Sequence, residues 1–226
     1  MKLFLSMLFT FFIFKFSHAQ DWPNLNRFKM ENAELPTPSS NEDRIVFMGN
    51  SITESWLQIR PEFFADNPYI NRGISGQTTP QMLVRFRQDV INLKPSAVVI
   101  LAGINDIAGN TGPSTIEMIA DNIFSMVELA KANDIQVVLC SVLPASDFPW
   151  IKGMEPAEKV VQLNLLLKSY ASQHEIIYVD YYSSMVNDSL GLKEELGSDG
   201  VHPNASGYSI MEPLVEQALS KVLQHK

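Results

Sequence analysis

Two separated blocks carry residue types that can together make a nucleophile from an alcohol. An apolar run, Ile45 to Met48, feeds into Gly49-Asn50-Ser51-Ile52-Thr53, and near the C-terminus stands Asp199-Gly200-Val201-His202-Pro203. A serine hydroxyl attacks poorly until a histidine takes its proton and an acidic group fixes the histidine's tautomer. The chain has 4 histidines. His18 falls in a leader-like segment, His225 is the penultimate residue, and His174 follows an apolar helical stripe at its polar end. Only His202 lies in a Gly/Pro/Asn loop with a carboxylate three residues before it, so it is the candidate base and Asp199 the group that orients it. Ser51 has a plainer reading as well: Ser51-Ile52-Thr53-Glu54 has the form of a capping box, in which the serine caps a helix. A nucleophile at a helix start would also gain from unpaired backbone N–H groups that can hold an oxyanion.

Two further blocks offer such donors. Gly73 in Asn71-Arg72-Gly73-Ile74-Ser75-Gly76 is a turn glycine that could also let the backbone present its N–H to a substrate. Asn105 in Gly103-Ile104-Asn105-Asp106 is a turn former whose amide could face developing negative charge.

The elements that must position these residues read as alternating strands and helices. Short apolar runs at 45–48, 69–70, 97–101, 135–143 and 176–179 are continuous rather than alternating, as in strands covered on both faces. Between them, Met82, Leu83, Phe86, Val90 and Leu93 recur at helical spacing behind Thr79-Pro80, a cap and first-turn proline. Ile116, Ile119, Ile123, Met126 and Ala130 repeat the pattern behind the capping-box-like Ser114-Thr115-Ile116-Glu117, and Val160, Leu163, Leu167 and Tyr170 make a third stripe. Leu214 to Leu223 read as a closing helix that Pro213 restarts or kinks. The βα alternation indicates a doubly wound, three-layer α/β/α sandwich around a five-stranded parallel sheet, with its site at the C-terminal ends of the strands. Every polar block named above falls there.

Residues 1–19 have the basic start, short apolar stretch and small-residue end of a secretory signal peptide, with cleavage expected after Ala19. The alternative is an uncleaved N-terminal anchor. Residues 20–42, polar and containing Pro23, Pro36 and Pro38, read as an arm before one domain at 43–226. Loss of Lys2 and Lys15 leaves 15 basic against 25 acidic residues, a net charge of −10 instead of −8 for the whole chain. That balance opposes binding to nucleic acid or anionic membrane surfaces. The lone Cys140, in an apolar run, reads as a buried structural thiol, and no motif points to a metal or other cofactor.

The four blocks together resemble the SGNH (GDSL-type) hydrolases, a family defined by a serine, a glycine, an asparagine and a histidine in that order with an aspartate three residues before the histidine. Ser51, Gly73, Asn105, His202 and Asp199 match across residues 44 to about 220. The resemblance implies a flavodoxin-like fold and ester hydrolysis through a seryl acyl-enzyme, with the N–H groups of Ser51 and Gly73 and the Asn105 amide as oxyanion donors. It is nearest to the bacterial lysophospholipase/thioesterase-like acylhydrolase branch, although carbohydrate O-deacetylases share the same blocks, and it makes a small-molecule, glycan or lipid ester the expected partner. One departure is Asn50 where the namesake G-D-S-L has aspartate, which touches local hydrogen bonding rather than the reacting groups. No G-x-S-x-G elbow is present. The 144–156 connection, with Phe148 and Trp150, could close over an acyl chain, stack on a sugar ring, or fold its aromatics back onto the core. A non-catalytic glycan- or lipid-binding module is the contrasting class.

Overall fold

The computed structural model describes residues 20–39 and 41–224. The expected signal peptide at 1–19 lies outside them.

Within the arm a short helix, α1 (Lys29–Glu34), precedes strand β1 (Ile45–Gly49). Then follow α2 (Ser51–Ile59), α3 (Pro61–Ala65), β2 (Tyr69–Gly73), α4 (Thr79–Asp89), β3 (Ala97–Leu101), α5 (Ile104–Ile107) and α6 (Ile116–Lys131). The chain continues through β4 (Gln136–Cys140), α7 (Pro156–Gln173), β5 (Ile177–Val179), α8 (Tyr181–Met185) and α9 (Ala205–Gln224). All strand pairings are parallel, in the order β2-β1-β3-β4-β5. β1 and β3 are buried along their whole length, which is why they read as unbroken apolar runs. Helices α4, α6 and α7 pack side by side on one face of the sheet, while α2 and α9 cover the other. Phe47, Trp56, Phe63, Phe64, Tyr69 and Tyr208 form an aromatic cluster under that second face. The order of strands reverses direction at β1, so the loops after β1 and β3 flank the crevice where doubly wound sheets bind ligands.

The structure moves several expected boundaries. The fourth apolar run ends as strand at Cys140, because Asn164 of α7 takes the place of a strand neighbour: its Oδ1 accepts from Val142 N–H at 2.7 Å and its Nδ2 donates to Val142 O at 2.9 Å. Each helix cap stands one residue from where the sequence pattern put it. α4 is capped by Thr78 with Gln81 rather than by Thr79, and α6 by Thr115 rather than Ser114. Pro213 does not restart the last helix; α9 begins at Ala205, where Asn204 Oδ1 accepts from Gly207 N–H at 3.0 Å, and runs through the proline.

Candidate functional site

Ser51 occupies the first position of α2, with Asn50 alone between it and the end of β1. The capping oxygen belongs to Asn50, whose Oδ1 accepts from Ile52 N–H at 3.1 Å and whose carbonyl accepts from Glu54 N–H at 2.9 Å. Ser51 is thereby released from the capping role that its tetrapeptide suggested, and its Oγ lies 2.9 Å from His202 Nε2. Its own backbone N–H finds no acceptor among the described residues.

The loop before α9 is built to hold His202. Asp199 Oδ1 accepts from the backbone N–H groups of Val201 at 3.0 Å and His202 at 2.8 Å, while Oδ2 stands 2.7 Å from His202 Nδ1. Burial works to raise the Asp199 carboxyl, but the bonds from the His202 N–H, its ring and the Val201 N–H, with the attraction of the imidazole, outweigh it and hold the group below its ordinary value. With Asp199 ionised, a neutral imidazole carries its proton on Nδ1 and turns the Nε2 lone pair to the Ser51 hydroxyl. The distance between the two blocks is set by the contact of α2 with α9. Tyr208 stacks on Trp56 at 5.3 Å and donates to Ile52 O at 2.7 Å, and Glu212 accepts from Trp56 Nε1 at 3.2 Å and from Arg60 at 2.9 and 3.0 Å.

The donor expected at Gly73 is already spent: its N–H goes to Asn71 Oδ1 at 2.9 Å. This glycine serves packing, since a Cβ there would stand 2.2 Å from Glu54 N on α2. Three residues on, Gly76 lies exposed with φ +77°, and its N–H finds no acceptor among the described residues. Of the two glycines in the hexapeptide, Gly76 is the one whose N–H is unpartnered among the described residues, because the Asn71 side chain takes that of Gly73. Asn105 is buried beside this loop; its Nδ2 donates to Gln77 O at 3.0 Å, which leaves the second amide hydrogen free of that bond.

Next to Asn105, the buried Asp106 ties α5 to the start of α4. It accepts from Thr79 N–H at 3.0 Å through both oxygens and from Thr79 Oγ1 at 2.6 Å. Burial pushes its carboxyl up to about 6, against the pull of the Thr79 bonds. Behind the site lies Arg85, fully buried. Its Nε donates to Gln77 Oε1 at 2.6 Å, Nη1 to Asp89 Oδ2 at 3.0 Å, and Nη2 to Gly49 O at 3.1 Å and Arg72 O at 2.9 Å. Sequence patterning missed Asp106, Gln77 and Arg85. A charged residue on the apolar side of the α4 stripe, between Met82 and Phe86, was the available signal for Arg85.

The 144–156 loop divides its two aromatics. Phe148 is fully buried in the core; Trp150 stacks on it at 5.2 Å, remains 47% exposed, and stands 5.9 Å from the His202 ring, centroid to centroid. Cys140 is buried and burial pushes its thiol up to about 12, so it stays protonated at neutral pH.

Residues 47–210 match the model of the GDSL-like lipase/acylhydrolase family. A solved protein of Bacteroides fragilis is 53% identical, with a TM-score of 0.89, covering 91% of this chain and 100% of that one. Among curated proteins, an acetylxylan esterase of Xylanibacter ruminicola is 22% identical over 82% of this chain, but the match takes in only 45% of that protein's length. The Pseudomonas aeruginosa esterase TesA is 26% identical over 69% of this chain and 73% of its own.

Proposed function

Because the chain belongs to the GDSL-like lipase/acylhydrolase family, we propose that it hydrolyses carboxylic esters through an acyl-enzyme on Ser51, with His202 as base and Asp199 as its orienting carboxylate. The observation that carries the residue roles is the continuous line of short bonds from Asp199 Oδ2 through the imidazole to Ser51 Oγ, 2.7 and 2.9 Å long. In the first step Nε2 takes the hydroxyl proton as Oγ attacks the carbonyl carbon, and the carbonyl oxygen becomes an oxyanion. The N–H of Ser51, the N–H of Gly76 in place of the Gly73 donor, and the Asn105 amide are its proposed partners. The imidazolium then gives its proton to the departing alcohol, leaving the acyl group on Ser51. Water enters, loses a proton to Nε2, and attacks the acyl carbon; return of that proton to Oγ frees the carboxylic acid and restores the enzyme.

For the substrate, the exposed Trp150 face beside His202 favours a saccharide alcohol carrying a short acyl group, since an indole held against a buried ring is a rigid platform for a sugar. The similarity to an acetylxylan esterase supports the same choice. A lysophospholipid or other long-chain ester is the second reading, favoured by Ile151, also exposed on that loop. Export follows from the reading of residues 1–19 as a cleaved signal peptide, which would leave the 20–42 arm and the 43–226 domain outside the cytoplasm. Among the described residues no helix is long and apolar enough to cross a membrane.

A fluorophosphonate probe is expected to label the protein on Ser51, and Ser51→Ala to remove both labelling and p-nitrophenyl acetate hydrolysis while leaving the melting temperature intact. Retained turnover in pure Ser51→Ala protein would refute the assignment. Across a p-nitrophenyl series, highest kcat/KM at acetate together with deacetylation of acetylated xylo-oligosaccharides supports the saccharide reading; a maximum at long chains with release of fatty acid from lysophospholipids supports the other.

A further inference from the structure

The loop of residues 74–77, which carries the Gly76 N–H and meets Asn105, is held from outside as well as from the sheet. Ile74 N–H donates to Gly49 O at 3.2 Å. Glu54, one turn beyond Ser51 on α2, accepts from Ser75 N–H at 2.9 Å and from the Ser75 hydroxyl. Gln77, buried, gives its Nε2 to Pro23 O at 2.7 Å, takes Arg85 Nε on Oε1, and offers its backbone carbonyl to the Asn105 amide at 3.0 Å. Arg27 of the arm pairs with the other oxygen of Glu54 at 3.6 Å. The arm is itself fastened to α4, through Gln81 Nε2 to Trp22 O at 2.6 Å and Gln88 Nε2 to Leu25 O at 2.8 Å. Asn110 Nδ2 also holds the loop, donating to Gly76 O at 3.0 Å, but Glu54 and Gln77 are the two of its side-chain ties that arm residues back, and those arm residues lie before the family-matched segment, which starts at 47.

We propose that arm residues 22–27, acting through Glu54 and Gln77, form a positioning brace that sets the register of the oxyanion donors; this rests on the reading of Ser51 as nucleophile. An oxyanion donor works within a distance window only about 0.4 Å wide, and a displacement of about 1 Å can cost roughly 10²-fold in rate. A four-residue loop whose middle residues, Ser75 and Gly76, are exposed would not hold that tolerance if it were tied only at its strand end. Glu54 and Gln77 touch no reacting atom, so their effect falls on turnover rather than on substrate binding.

The test is steady-state hydrolysis of p-nitrophenyl acetate with a melting curve for each variant. Glu54→Ala is expected to lower kcat about 10- to 100-fold with KM within about threefold. Glu54→Gln, which keeps an acceptor for Ser75, restores most of that loss. Gln77→Glu keeps an oxygen for Arg85 but replaces the donor to Pro23, and is expected to lower kcat likewise. Should Glu54→Ala fail to fold, Arg27→Ala, whose side chain is 43% exposed, carries the test with a several-fold fall in kcat at unchanged melting temperature. Wild-type kcat, within twofold, in folded Glu54→Ala or in Arg27→Ala would overturn the brace, as would kcat losses that merely track melting temperature. Ser51→Ala run alongside separates the two ideas: hydrolysis that survives it removes the nucleophile and the brace together, whereas Ser51-dependent activity with indifferent variants removes the brace alone.

Discussion

A serine in the N-cap position ordinarily turns its hydroxyl toward the helix's own N–H groups, but here Asn50 holds that position and Ser51 stands one residue inside the helix. The division of labour is directly testable. Asn50→Ala is expected to cost about 1 kcal/mol, read as a melting temperature lower by about 2–4 °C, and to lower kcat as the Ser51 hydroxyl is drawn toward the vacated N–H. Asp199 gives a second test at this scale. Asp199→Asn leaves the loop in place but no longer holds the Nδ1–H tautomer, and a loss of roughly 10³- to 10⁴-fold in kcat is expected. Since its folded pKa is depressed, Asp199 contributes stability that is in place above the ordinary carboxylate value and disappears as pH falls through the lowered one. The wild-type advantage over Asp199→Asn in chemical unfolding should therefore shrink only in acid. The alignment of Asp199, His202 and Ser51 was legible in the sequence because Asp199 and His202 are near neighbours and Ser51 follows an unmistakable strand. The proposed oxyanion glycine was not, because only the turn of the Asn71 side chain, which takes the Gly73 N–H, leaves Gly76 as the glycine proposed for that role.

Strands and amphipathic helices could be read from apolar periodicity, but what joins them could not, since the joints are single polar side chains acting over long separations. Asn164 ending the fourth strand is one example and Tyr208 bonding Ile52 O is another. Asp106 is the joint with a pH signature. Its carboxyl is raised from 3.8 to about 6, chiefly by burial, so the folded state holds the proton more tightly than the unfolded one. The sign is opposite to that of Asp199: stability falls as pH rises from about 4 to about 6, by an amount on the order of 3 kcal/mol, and the penalty then stays constant. Denaturant unfolding of wild type and Asp106→Asn across pH 4 to 7 measures it. The difference between the two curves should carry this slope, and a pH-independent difference would show that Asp106 titrates as it does in the unfolded chain. Because Asp106 adjoins Asn105 and fastens the start of α4, the same variant is expected to lower kcat at neutral pH.

At the scale of the whole molecule, the two sheet strands nearest the nucleophile, the α4 helix and the arm converge on one buried ion pair. Arg85 binds the last carbonyl of β1, Arg72 O of β2, Gln77 and Asp89, and Asp89 Oδ1 in turn accepts from Asn32 Nδ2 of α1 at 2.7 Å. Burial lowers the Arg85 guanidinium to about 10, against the pull of Asp89, so it remains charged at neutral pH. Removing one member of such a pair leaves the other charge buried without a partner. Arg85→Leu is accordingly expected to destabilise by about 3–5 kcal/mol, lowering the melting temperature by about 10 °C. Removing both charges is a different matter, because well-packed apolar replacements of a buried ion pair are often nearly neutral. The double variant Arg85→Leu/Asp89→Leu should therefore recover much of the lost melting temperature. It should not recover kcat, because Gln77 still lacks the Nε donor that fixes its side chain and with it the carbonyl holding Asn105. Thermal melts and p-nitrophenyl acetate kinetics on the two singles and the double separate the roles. Parallel recovery of stability and turnover would mean that Arg85 serves the fold alone, whereas recovered stability with depressed kcat would mean that the buried guanidinium holds the site in register.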